Sequence, residues 1–117
     1  MSHTENQENK ETIQKVAEET ISSLKIEHGQ DLRKLTLPAN EDETKFIEVM
    51  AVVPKRKIIG QYQKYERIDP LKAQEIVVKN CVLTDKEKVL ADDGLFYAAF
   101  TALTELMPIR QGKSERA

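Results

Sequence analysis

In the stretch Asp69-Pro70-Leu71-Lys72-Ala73-Gln74-Glu75-Ile76-Val77-Val78-Lys79-Asn80-Cys81-Val82, helical winding at about 100° per residue gathers Lys72, Glu75 and Lys79 into one narrow polar stripe. Leu71, Ala73, Ile76, Val77, Val78, Cys81 and Val82 take most of the remaining circumference. The segment therefore predicts a central helix that its neighbours cover on several sides. Asp69 supplies an acceptor for orphan N–H groups at its start, and Pro70 suits the first helical position because it has no N–H to leave unpaired. Val77 and Val78 lower the intrinsic propensity slightly, so packing must hold the helix in place.

Downstream, Asp85 to Ala91 reads as a charged connection, and Asp92-Asp93 open a last helix with two carboxylates at its positive end. Leu95, Phe96, Ala99, Phe100, Leu103 and Leu106 share its wide apolar face, and Pro108 ends it. Upstream, Pro54 opens a helix running to about Arg67 in which Ile58, Ile59, Tyr62 and Tyr65 fall within one arc. Gly60 inside it costs about 1 kcal/mol relative to alanine, and its small size would admit a close neighbour.

Before Pro54 the period changes. Leu35 and Leu37 alternate with Lys34 and Thr36, and Ile47, Val49, Ala51 and Val53 alternate after the interruption Pro38-Ala39-Asn40-Glu41-Asp42-Glu43. Two alternating runs around a polar turn predict a β-hairpin, which needs helices on its apolar face to be stable. Between Lys10 and Gly29, the residues Ile13, Val16, Ala17, Thr20, Ile21 and Leu24 fit one face of an amphipathic helix. The expected class is α+β: an N-terminal helix over 10–29, a hairpin, then a three-helix bundle packed on it. One domain spans 30–108, with disordered tails at 1–9 and 109–117.

Composition narrows the function. The chain has 117 residues, 39% hydrophobic and 32% charged, with a net charge of −2 and one cysteine. An acidic balance argues against a general nucleic-acid or anionic-membrane binder. No apolar run approaches the ~18 residues a membrane span requires. A single cysteine cannot close an internal disulfide, which suits a reducing cytoplasm.

The chemistry-bearing residues read mostly as structural. Cys81 lies on the apolar arc, far in sequence from His3 and His28, and no histidine has a second ligand at metal spacing. Glu41, Asp42 and Glu43 lack the spacing and glycine of a calcium loop. Lys55, Arg56 and Lys57 have no interleaved aromatics and read as a solvated first turn. The four glycines form no phosphate loop. The expectation is a non-enzyme without metal or cofactor. Asn80 is expected to project into the apolar arc, as a cap, a satisfied core amide or a contact to a partner. Tyr62, Tyr65 and Tyr97 complete the candidate partner-binding set, since tyrosine serves both core edges and interfaces.

A family resemblance follows from motif order. Val53-Pro54-Lys55-Arg56-Lys57 after a strand, Asp69-Pro70-Leu71-Lys72-Ala73 opening a helix and Asn80-Cys81-Val82-Leu83 closing it are followed by Asp92-Asp93-Gly94-Leu95-Phe96 and Leu103-Thr104-Glu105-Leu106. Over Asp31 to Met107 this order resembles the small tail assembly chaperone-like proteins of tailed phages and prophages. Val82 departs from members that carry a large aromatic after the cysteine. The resemblance implies a non-enzymatic protein of the bacterial host cytoplasm that covers apolar helical segments of the tape measure protein during tail assembly. It transfers no catalytic or binding residue. The alternatives are a structural component of the tail or connector, or a small nucleic-acid-binding regulator. A homo-oligomer through the N-terminal helix is a further expectation.

Overall fold

The computed structural model describes residues 12–108 and 112–117. Its class is mixed α+β. In chain order the elements are β1 (Thr12–Gln14), α1 (Glu18–His28) with a 3-10 turn at Gly29–Asp31, β2 (Leu32–Pro38) and β3 (Lys45–Val52). They are followed by α2 (Arg56–Tyr65), α3 (Pro70–Cys81), α4 (Lys86–Ala91) and α5 (Asp93–Glu105). Residues 112–117 carry neither helix nor strand, and the expected tail over 1–9 lies outside the described residues.

β2 and β3 form the antiparallel hairpin, with Leu35 opposite Val49 and Leu37 opposite Ile47. The turn is organised by Asn40 and not by the acidic residues beside it. Its Oδ1 accepts from the backbone N–H groups of Thr44 and Lys45, both at 3.1 Å, and its Nδ2 donates to Thr44 Oγ1 at 2.9 Å. An asparagine amide can satisfy a turn's backbone in this way because it offers both donor and acceptor.

Two elements differ from the sequence-based reading. The predicted helix over 10–29 begins only at Glu18, because Thr12–Gln14 is a strand pairing in parallel with Lys45–Ile47 of β3. That pairing satisfies the backbone from a distant part of the chain, which overrides the local helical spacing of Ile13 and Val16. The predicted charged connection contains α4, so four helices and not three follow the hairpin among the described residues. Asp85, at φ 52° and ψ 33°, turns the chain into α4 through the left-handed region that aspartate tolerates better than most residues. Val89 anchors α4 in the core at 0% exposure.

β3 is the centre of the sheet, whose strand order is β1-β3-β2. Its outer edge is shared by two segments. β1 takes the beginning, while Val82 bridges Ala51 and Leu83 N–H donates to Met50 O at 2.7 Å near the end. Met50 N–H donates to Thr84 Oγ1 at 2.9 Å. Thr84→Val should therefore strand a strand amide without an acceptor and destabilise the fold by roughly 1–3 kcal/mol, read as a lower urea midpoint.

The core lies between one sheet face and the helices. Leu35, Leu37, Ile47, Val49 and Ala51 meet Val77, Val78, Cys81 and Val82 of the α3 region, with Val89, Leu95, Phe96, Ala99 and Leu103 completing the cluster. Asp69 Oδ1 caps α3 by accepting from Lys72 N–H at 3.2 Å, and Asp92 Oδ1 caps α5 by accepting from Leu95 N–H at 3.0 Å. These caps satisfy helix-start donors that water would otherwise have to reach.

Candidate protein-binding surface

α3 is less enclosed than its composition predicts. Ala73, Val77, Val78 and Cys81 are buried, but Leu71 is 53% exposed and Ile76 only half-buried. Ile68, in the turn that leads into α3, is 78% exposed. A shallow groove of about 320 Å³ runs along this side, lined by Asp69, Leu71, Lys72, Glu75, Ile76 and Lys79. Exposed leucine and isoleucine beside a groove with mixed charges at its margins have the chemistry of a helix-docking surface: apolar anchors within a polar rim. Sequence reading placed Leu71 on the covered arc and passed over Ile68. Periodicity shows that a residue is apolar, not that a neighbour reaches it.

The four candidate residues fall into different environments. Tyr62 of α2 is half-buried, its ring 5.9 Å from that of Phe100 on α5 at an interplanar angle of 45°. Burial raises its hydroxyl pKa, and the charge and hydrogen bond of Glu66 push it the same way. This tyrosine ties α2 to α5. Tyr65, also half-buried, lies under the Lys72 ammonium at 4.3 Å and near that of Lys64 at 5.6 Å. Its ring joins α2 to the rim of the α3 groove through a cation–π contact.

Asn80 does not project into the apolar core. Its side chain is exposed and Nδ2 donates back to Ile76 O at 2.7 Å, a local bond one helical turn long. It lines a second groove, of about 280 Å³, with His28, Asp31, Val52, Val53, Lys55, Ile58 and Cys81. Tyr97 of α5 is 51% exposed and sits edge-on to Phe96, with ring centroids 5.2 Å apart.

Cys81 borders that second groove but is only 1% exposed. Burial pushes its thiol up to about 11, against the opposing pull of the Lys86 ammonium. A thiol held protonated is a poor nucleophile. Because the folded value lies above the ordinary one, this group's contribution is complete below pH ~8.5 and is lost as the pH rises towards 11. The unfolding free energy of the protein, from urea titrations, should fall over that window by more than that of Cys81→Ala. The difference should be on the order of 2 kcal/mol.

Among the described residues, no group of three or more His, Cys, Asp or Glu side chains is placed to hold a metal ion. No described helix is long and apolar enough to cross a membrane.

No family model and no curated protein matches this chain. A solved structure does: that of the uncharacterised protein rbstp2171 from Bacillus stearothermophilus aligns at a TM-score of 0.59 and 15% identity, covering 82% of this chain and 99% of that one. The likeness is one of fold. It extends over nearly the whole length of the other chain, so the arrangement of hairpin and helices is one that another sequence also adopts.

Proposed function

We propose that this chain is a non-enzymatic tail assembly chaperone of a phage or prophage. In the bacterial host cytoplasm it transiently binds apolar helical segments of the tape measure protein. The observation that carries the binding reading is the exposed pair Ile68 and Leu71 beside the groove along α3. Isolated exposed apolar residues are ordinary, but Leu71 opens onto a groove with a half-buried isoleucine and has exposed Ile68 three residues before it, which offers an unfilled anchor site. The assignment to tail assembly is supported by the order of the motifs at Val53–Lys57, Asp69–Ala73, Asn80–Leu83 and Asp92–Phe96.

An apolar stripe on a partner helix would pack against Leu71 and Ile76, with Ile68 at its edge, in helix-in-groove recognition. Lys72, Lys79 and Glu75 at the margins would set its register. Such binding is reversible because the contact is small and its rim stays wet, as a chaperone that must release its client requires.

Co-expression with the tape measure protein tests the reading. The two should co-purify, and the client's soluble fraction should rise. Leu71→Glu should abolish both effects while leaving the chaperone's own melting temperature unchanged. A client whose solubility is indifferent to this chain overturns the proposal. Detection of the chain in purified virions would instead favour a structural tail component.

A further inference from the structure

We propose that two copies of this chain associate through the outward face of α1 and the outward face of α2. The inference does not depend on the tail-assembly reading. The half-buried residues of α1 are Ile21, Leu24 and His28, one turn apart. The opposite side carries Glu19, Ser22, Ser23, Ile26 and Glu27, all exposed. Ile26 is 89% exposed, the most exposed large apolar residue among those described. A lone isoleucine of this kind, set between two serines and two glutamates, is a knob without a hole.

α2 supplies a hole of the right form. Arg56, Ile59, Gly60 and Gln63, with Pro108, line a groove of about 440 Å³. These helical positions are spaced i, i+3, i+4 and i+7, the four corners of the socket that receives one side chain from a facing helix. Gly60 forms its open corner: a Cβ built there meets nothing within 4 Å. The glycine is therefore not required by packing within the chain, although it weakens the helix. Its missing side chain allows another backbone to come close, and the serines on α1 keep that backbone thin.

Charge selects the occupant. The α2 groove begins at exposed Arg56, and exposed Arg67 in the turn after α2 extends the positive charge; the α1 face carries Glu19 and Glu27, with Lys25 on its other flank. Glu27 has His28 at 3.9 Å, and neither arginine has a carboxylate partner among the described ion pairs. With the helices antiparallel and Ile26 of one copy over Gly60 of the other, Glu19 lies towards the end of α2 that leads into Arg67. Glu19 precedes Ile26 by seven residues of α1, ~10 Å along the axis, and Arg67 follows Gly60 by seven residues, the last two of them in the turn beyond α2. Glu27 then lies within side-chain reach of Arg56. A two-fold axis would form the contact twice, α1 on α2 and α2 on α1.

Sedimentation velocity of the full chain over a range of concentrations tests this. A dimer is expected that weakens as salt rises, because exposed charges contribute to it. Ile26→Asp and Gly60→Leu should each raise the dimer dissociation constant on the order of tenfold or more. Arg56→Glu should weaken the dimer, and the double variant Arg56→Glu with Glu27→Arg should recover it. All of these sites are exposed, and circular dichroism should report an unchanged fold. A chain that sediments as a monomer at every concentration overturns the proposal. So does a dimer that none of the three single variants weakens, or a double variant no stronger than Arg56→Glu alone.

Discussion

Val78→Asp is expected to leave the protein largely unfolded at room temperature. Val78 is 0% exposed and belongs to a cluster in which every member is apolar, drawn from the sheet, α3, α4 and α5. A carboxylate there would meet no cation and, from that cluster, no donor stronger than the Cys81 thiol. It would either ionise at a cost of several kcal/mol or take up a proton and still lose its hydration. Domains of this size are stable by about 5–15 kcal/mol, so one such substitution removes a large share of the total. Loss of the cooperative thermal transition by circular dichroism checks it. A melting temperature equal to that of the wild type would mean that this side of α3 does not face the sheet.

Leu103→Ala is the second large effect. Leu103 is 0% exposed on α5, the helix that packs against β2 and α3. Truncation removes three carbons from a closed core and leaves a cavity that the hairpin and helices on either side can only partly collapse into. The expected loss is about 2–5 kcal/mol, seen as a lower urea midpoint with the slope unchanged. Leu71→Ala is the informative contrast. At 53% exposure, the same chemical change should cost within roughly 0.5 kcal/mol. A large cost at Leu71 would argue that this residue packs within the chain and is unavailable to a partner.

The parts of the fold that were legible in the sequence are those written in local chemistry. The alternation of Leu35 and Leu37, and of Ile47, Val49 and Ala51, is the period of a strand with one face in a core. The hairpin that it predicts is present. Asp69 with Pro70, and Asp92, announce helix starts, and both carboxylates cap them. The elements that were missed have no local signature. A strand as short as Thr12–Gln14 has no period to read, and it exists because β3 offers it an edge. α4 is a six-residue helix inside a charged run, and its one core residue, Val89, sets no pattern.

The candidate site was less legible for a related reason. Tyr62 and Tyr65 do sit at the margin between α2 and its neighbours, where one end of a tyrosine is dry and the other wet. Asn80 was misplaced because a wheel projection knows an angle but not a hydrogen bond, and the carbonyl one turn back holds its amide outward. Ile68 and Leu71 show the converse. Their exposure depends on where α2 ends and turns, which is a matter of chain geometry and not of residue type.

The way β3 is flanked bears on how the protein emerges from the ribosome. A nascent chain released as far as Val52 can close the hairpin, yet the last residues of the central strand still lack the partners that Val82, Leu83 and Thr84 provide. For the time taken to synthesise some thirty more residues, that flank is bare and able to pair with any extended peptide nearby. Slowed translation over α2 and α3 would prolong this interval, so synonymous codons in that region would influence the yield of properly folded protein without altering a single side chain.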